Sequence, residues 1–342
     1  MLFPFLSFSQ FLLDPSVNGG AISIITASSS GTNSSIAVAY SIRQLKTTYD
    51  HPITITAPSP VSGFSNSTTP LLRVRRSSDN GQLDIGYDGD GNLDTVLLKS
   101  FVTSNGLNPA ASGFITVWYD QSGNSRDLYS VPRMAPGEQP SPSPEPRIVN
   151  AGIVERNSGG VIGFYGINGG MLEHRPTATT TFNGTTGENI YGISGNRTMN
   201  VVSQPKAYTN GGASDGSGTY LVDRYGGVAT ANGGTPSGIE NELTCLKAVN
   251  DRWALQIRLD DGSGIGSSFG GNVAISTNRS DNVMVVRLAN DYNLYVNGVL
   301  AGSVNLPGYN PMSPIRVGYG SNTSETVYYG EFEQKDANGN VV

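Results

Sequence analysis

Oxygen-bearing side chains gather at four places in this chain, and each spacing suggests a different chemistry. "DGDGNLD" sets Asp88, Asp90, Asn92 and Asp94 at alternate positions, as at the start of a calcium loop. Calcium takes roughly six to eight oxygens, and Lys99 stands where an EF-hand loop would end in glutamate, so a hairpin turn is the favoured reading. "WYDQSG" places Asp120 and Gln121 beside Trp118 and Tyr119. An acid–amide pair flanked by aromatics suits the hydroxyls of a sugar; an Asx turn closing a strand is the plainer account. "DRWALQIRLDDG" ends in Asp260 and Asp261, either half of a carboxylate pair for acid–base work or a polar turn before "GSG". "GYNPMSPIRVGYGSN" carries Tyr309, Asn310 and Asn322 as sugar-contact candidates, in a stretch without acidic residues from Tyr292 through Ser324.

Other chemistries have little to work with. His51 and His174 are the only histidines, which argues against a histidine-based triad or a multi-histidine zinc site. Cys245 is alone, so no internal disulfide forms, and a small buried hydrophobe suits it better than a nucleophile. No cofactor is implied. A net charge of −6 speaks against a nucleic-acid-binding surface. The one basic cluster, Arg73, Arg75 and Arg76 in "RVRR", reads as the solvated face of an edge strand. Trp118 and Trp253 could stack on sugar rings, but in strand patterns they are more often core anchors.

The elements that must carry these residues are mostly strands. With 44 glycines and 14% charged residues, the composition suits an all-β protein with many tight turns. "IAVAYSIRQLKTTY" has Ile36, Ala39, Ile42 and Leu45 near a helical period, which predicts a short helix. "TVLLKSFV" predicts a second. "GFITVWYDQSG" reads as a buried strand entering a turn, and the proline-rich "PRMAPGEQPSPSPEPRI" as a surface loop. Beyond it short strands recur between turn residues, the rhythm of a two-sheet antiparallel sandwich. "NLYVNGVLAGS" predicts a hairpin around Asn297-Gly298. The opening "MLFPFLSFSQFLL" is too short to span a bilayer and lacks a basic flank, so residues 1–35 read as an apolar docking arm and linker ahead of a domain at 36–342.

At "AYSIRQL", "RVRRSSDNGQLDIGYDGDGNLDT", "VWYDQSGNSRDL", "QPSPSPEPRIVNAG" and "GYNPMS" the chain resembles the catalytic domain of α-L-arabinofuranosidase B, glycoside hydrolase family 54, in its shorter bacterial and viral versions. The resemblance runs over about residues 36–332, dense in the first half and sparse between about 175 and 290. It implies a concanavalin A-like two-sheet β-sandwich with one or two short helices, and retaining hydrolysis by two carboxylates about 5–5.5 Å apart. The family's nucleophile, a glutamate in an Asp-x-Glu-Asn run after a tryptophan, would fall near Leu259 if that tryptophan is Trp253, and no such run is present. The family's acid, an aspartate in a Gly-Gly-Asp turn, corresponds to Ser321 or Asn322. An amide supplies no proton to a departing alkoxide, and that general acid is worth about 10²–10⁴-fold. The paired cysteines of fungal members are also missing.

The resulting expectation is a non-enzymatic virion protein, a capsid decoration or fibre subunit assembled in the host cytoplasm. It would be oligomeric and bound to other virion proteins through its arm, with cell-surface glycan as a further partner. A retaining arabinofuranosidase using Asp260 and Asp261 is the alternative, as is a free carbohydrate-binding module; either could be secreted.

Overall fold

A computed structural model describes residues 21–27, 34–44, 56–121, 125, 127–130, 145–156, 160, 162–166, 172–173, 197–207, 220–225, 243–249, 252–258, 268–274, 281–288, 290–305, 316–317 and 326–329. Mostly these are strands, all paired antiparallel, with a single helix α1 (Thr95–Val102) among them.

The strand β5 (Gly113–Trp118) is where the sheet divides. Every second residue of "GFITVW" is buried, namely Gly113, Ile115 and Val117, and Trp118 at its end is buried as well. One edge of β5 pairs along its length with β3 (Leu72–Arg76), which in turn pairs with β4 (Gln82–Ile85). Because β3 fills that edge, the two remaining partners must share the other. The start of β5 pairs with β7 (Arg147–Asn150) through Gly113↔Val149, and its end pairs with β6 (Leu128–Ser130) through Trp118↔Leu128. Two ladders therefore leave from one strand.

The first ladder runs from β7 to β9 (Phe164–Gly166), β20 (Thr326–Tyr329) and β11 (Arg197–Ala207). From β11 it continues through β16 (Asp281–Leu288) and β17 (Asp291–Val296) to β18 (Val299–Asn305). Also on β11 lies β1 (Ala21–Ala27), followed by β2 (Ser34–Ser41). The second ladder runs from β6 through β10 (Leu172–Glu173), β19 (Arg316–Val317), β12 (Tyr220–Tyr225), β13 (Leu243–Val249) and β14 (Arg252–Arg258) to β15 (Ser268–Ala274). A short β8 (Ile153–Val154) closes a hairpin on β7. Both ladders feed one core: Val283, Val285, Tyr292 and Leu294 come from the first, Leu172 and Trp253 from the second.

Trp118 fills the fork. Its ring meets Phe164 of β9 edge-on at 4.8 Å and lies 5.6 Å from Tyr40 of β2, and its indole N–H donates to the Ser41 carbonyl at 3.1 Å. One side chain thus joins β5, β9 and β2.

Several expectations are met. "TVLLKSFV" is α1, N-capped by Asp94, with Leu98, Phe101 and Val102 turned into the core. The Asn297-Gly298 hairpin has positive φ at both residues, 52° and 79°, as a type I′ turn requires. The first predicted helix is a correction. Residues 34–41 form β2, since Ile36, Val38 and Tyr40 alternate with period two and β1 supplies a full ladder for them. The arm's boundary is corrected as well: residues 21–27 are β1, paired on both edges, so only residues ahead of Ala21 remain for an arm, and residues 1–20 lie outside the described residues. "RVRR" is not a solvated edge. β3 is paired on both sides, and Arg73 and Arg76 are buried because each guanidinium has partners inside. Arg76 bonds both Asp79 oxygens and the Phe101 carbonyl, and stacks 5.0 Å over the Phe101 ring. β15 was not anticipated from its glycine-broken "SFGGNVA". Of the proline-rich stretch at 132–148, residues 132–144 lie outside the described residues, and its end is corrected from surface loop to strand, since Arg147 and Ile148 open β7 with Ile148 buried.

Two outcomes follow. Trp118→Ala opens a cavity at the fork and is expected to destabilise the protein by about 3–5 kcal/mol in urea unfolding. Trp118→Phe keeps a ring there and loses mainly one hydrogen bond, about 0.5–1.5 kcal/mol. Equal losses would mean that the ring does not hold the fork. The second outcome concerns pH. The Arg76 guanidinium, with the Gly81 N–H, brings the Asp79 carboxyl down to about 2. A depressed carboxyl stabilises the fold above its unfolded value of about 4. That contribution is lost as pH falls through about 2. Asp79 is half-exposed, so solvent screening keeps the effect small. Unfolding followed from pH 5 to pH 2 should fall less steeply in Asp79→Asn than in wild type.

Candidate functional site

The described polar residues that could do chemistry meet where β3, β4 and β5 run side by side. Arg73 and Asp84 are cross-strand partners in the β3–β4 register. The guanidinium grips both carboxylate oxygens, at 2.8 and 3.0 Å, and also donates to the Thr56 carbonyl. Just past β5, the Tyr119 hydroxyl donates to Asp84 Oδ1 at 2.8 Å. Burial works against the Arg73 charge most strongly, but the hydrogen bonds and charges of Asp84 and Tyr119 together outweigh it and raise its pKa. Burial, then the Asp84 charge, pushes the Tyr119 hydroxyl far above its ordinary range. The Asp84 carboxylate is closed in by a two-pronged guanidinium and a phenol, an arrangement that ties β3, β4 and the end of β5 together.

One residue on, the chain turns inward again. Gln121 is fully buried, and its side-chain N–H₂ donates to the carbonyls of Ser41 and Arg43 at 3.0 and 2.8 Å. The Ser41 carbonyl therefore accepts from both Trp118 and Gln121, which fastens the end of β2 to the end of β5. Asp120 is also buried, and its backbone N–H donates to Asp127 Oδ1 at 2.8 Å. The N–H groups that an Asx turn at Asp120 would use, at residues 122 and 123, lie outside the described residues. Burial, with the Asp127 charge behind it, pushes the nearby Tyr129 hydroxyl up to about 12.

The sugar-facing role expected of Trp118 and Gln121 is corrected by this geometry. The Trp118 ring has no exposed face for a sugar to stack on, and both hydrogens of the Gln121 amide point at backbone carbonyls. Around Asp88 the structure is a turn. Its carboxylate accepts from the backbone N–H groups of Asp90 and Asn92, Gly91 takes φ +77°, and Asp94 Oδ1 caps α1 at the Leu97 N–H. No group of three or more His, Cys, Asp or Glu able to hold a metal ion occurs among the described residues. Asp260, Asp261, Tyr309, Asn310 and Asn322, with His51 and His174, lie outside them. No described helix is long and apolar enough to cross a membrane.

A second buried polar cluster went unread in the sequence. Trp253 on β14 donates its indole N–H to Asp281 Oδ2 at 2.7 Å, and the Asn297 amide donates to Asp281 Oδ1 at 2.8 Å. Asn297 Oδ1 accepts from the Asn282 N–H, so the hairpin turn is bonded back onto β16. Asp281 thereby links the second ladder to the first. The sequence signal was indirect: an aspartate opening an apolar strand, in register with the turn closing the next hairpin.

No family model and no curated protein matches this chain by sequence. Solved structures are similar in fold. A glycoside hydrolase family 54 α-L-arabinofuranosidase soaked with a cyclic sulfate inhibitor is similar at TM-score 0.53 and 16% identity, over 86% of this chain and 57% of that one. An arabinofuranosidase complexed with arabinofuranosyl-α-1,2-xylobiose is similar at TM-score 0.53 and 17% identity, with the same coverage. The likeness is one of fold, and this chain spans 57% of the length of those structures.

Breaking the Asp84 cluster at different members should separate charge from hydrogen bond. Asp84→Asn leaves Arg73 buried without its counter-ion and is expected to cost about 3–5 kcal/mol. Tyr119→Phe removes one neutral donor and is expected to cost about 0.5–1.5 kcal/mol. Urea unfolding of both variants at pH 7 checks the order; a Tyr119→Phe loss equal to that of Asp84→Asn would refute it.

Proposed function

We propose that this chain is a non-hydrolysing β-sandwich of the concanavalin A-like type that serves as a virion surface subunit, a capsid decoration or fibre component. The observation that carries the reading is the inward turn of "WYDQ". This is one of the stretches that most resembles family 54, and its Trp118 and Gln121 build the junction between β2 and β5 instead of lining a sugar site. The part of the resemblance that the structure describes is therefore framework. Of the described buried carboxylates, Asp84, Asp127 and Asp281 likewise accept hydrogen bonds that hold strands and loops together. In the sequence, the position matching the family's acid is Asn322, an amide. The apolar "MLFPFLSFSQFLL" ahead of β1 and the low charge suit a subunit seated on a larger assembly. Glycan contact, where it occurs, falls to Tyr309, Asn310 and Asn322.

A second reading is favoured by the fold likeness at TM-score 0.53: an arabinofuranosidase acting through Asp260 and Asp261. Two measurements divide the readings. Wild type and the Asp260→Asn/Asp261→Asn double variant are assayed on an aryl arabinofuranoside, with no turnover above background expected from either. Turnover by wild type that the double variant loses would replace the structural reading with the enzymatic one. Full-length protein from its native source is then sedimented beside a form lacking residues 1–20, which leaves β1 whole. Pelleting with a large particle that the shortened form loses is the expected result. A free protein that binds a glycan array equally well in both forms would point to a carbohydrate-binding module.

A further inference from the structure

The first ladder has an outer face as well as a core face, and the register lines up one row of residues across it. Val74, Ile115 and Phe164 are buried in the core, so their chain neighbours Arg75, Phe114 and Tyr165 lie on the other face of the sheet. Arg75 is opposite Phe114, and Phe114 is opposite Arg147. Arg147 is opposite Tyr165, which is opposite Tyr328 of β20. Gln82, opposite Arg75, and Gln204, opposite Tyr328, stand at the two ends. At about 4.8 Å per strand, Arg75 and Tyr328 are roughly 19 Å apart.

Cations and rings share this row, and each cation has its own acid. The Arg75 guanidinium lies over the Phe114 ring, 5.1 Å from its centre, and bonds Glu145 at 2.7 Å. Arg147 bonds Glu155, also at 2.7 Å. Phe114 and all four charged residues are half-buried, so they reach the surface without standing clear of it. The two ion pairs leave the row without net charge, which suits neither nucleic acid nor another polyanion. A partner strand has no place either, because Phe114, Arg147, Tyr165 and Tyr328 each have ladder partners on both sides. An uncharged polyhydroxyl chain does fit. Aromatic rings take the C–H faces of its sugars, while guanidinium, carboxylate and amide groups answer its hydroxyls.

We propose that this outer face binds an uncharged oligosaccharide laid across β3, β5, β7, β9 and β20. Phe114, Tyr165 and Tyr328 are its stacking positions, and the Arg75–Glu145 and Arg147–Glu155 pairs contact its hydroxyls. The site is separate from Tyr309, Asn310 and Asn322, and it stands whether or not the chain is carried on a particle.

The test titrates the full chain, by calorimetry, with cellohexaose, xylohexaose and mannohexaose, and with a polygalacturonate fragment as the charged probe. Saturable binding of at least one neutral probe is expected, tighter than that of polygalacturonate. Against the neutral probe that binds best, Tyr165→Ala and Tyr328→Ala should each weaken affinity about tenfold, Tyr328→Phe less than about threefold, and Tyr309→Ala not at all. Hydroxyl-radical footprinting of the unaltered protein with that probe bound should protect Phe114, Tyr165 and Tyr328, a readout that does not depend on the variants folding. Binding by none of the neutral probes, preference for polygalacturonate, or protection confined to other residues would overturn the proposal. Loss of binding in Tyr309→Ala, with both Tyr165→Ala and Tyr328→Ala at wild-type affinity, would do the same. Sedimentation with a particle tests the subunit reading separately: neutral-probe binding by a protein that never pellets would keep this face and remove the subunit.

Discussion

The fold depends on filling the space where two ladders part from one strand. β5 cannot pair with β6 and β7 along its whole free edge, so its two ends diverge and leave a wedge that water would enter. A large flat ring with one donor suits that wedge, because its faces pack while its N–H answers a buried carbonyl. Trp118 does this with Phe164, Tyr40 and the Ser41 carbonyl. Gln121 reinforces it from the next turn with two donors of its own. The end of β2 is fixed to β5 without any strand pairing between them.

Around this junction the protein ties an acid to its scaffold three times. Asp84 is matched by Arg73 on the adjacent strand, Asp79 by Arg76 across a tight turn, and Asp281 by two neutral donors, Trp253 and Asn297. The first is the most demanding, since removing either partner strands an ion in low dielectric. In the third, neutral donors reach both oxygens of Asp281. In each case the acid is bonded to the scaffold, which makes these groups good staples and poor catalysts.

How much of this could be read in the residues depended on whether the cause was local. The Asn297-Gly298 turn and α1 were legible because their signals are short-range: positive φ at an Asn-Gly pair, and apolar spacing behind an aspartate cap. The hydrophobic placement of Trp118 and Trp253 was legible from strand patterns. β2 was misread because an alternating Ile36, Val38 and Tyr40 also contains a partial helical period, and its deciding partner, β1, was hidden in a stretch read as linker. The arginines of "RVRR" were misread for the same reason. Nothing near them in sequence reveals that Asp84 will face Arg73, or that Phe101 will lie beneath Arg76. The inward role of Gln121 was invisible, since its partners Ser41 and Arg43 precede it by a long stretch of chain.

The position of β1 also sets the order in which the protein can be finished. The first described strand to leave the ribosome has only its hairpin partner β2 at hand, and Ser23 must wait for Asn200 before its other edge is filled. β11 itself stays open beside Ser203 until Tyr329 has been made. Pairings over such sequence separations are slow to form, and the waiting edges can take strands from neighbouring chains. Completion of this sheet is therefore an event of the whole chain, and its most exposed period is the interval between making β11 and making β20.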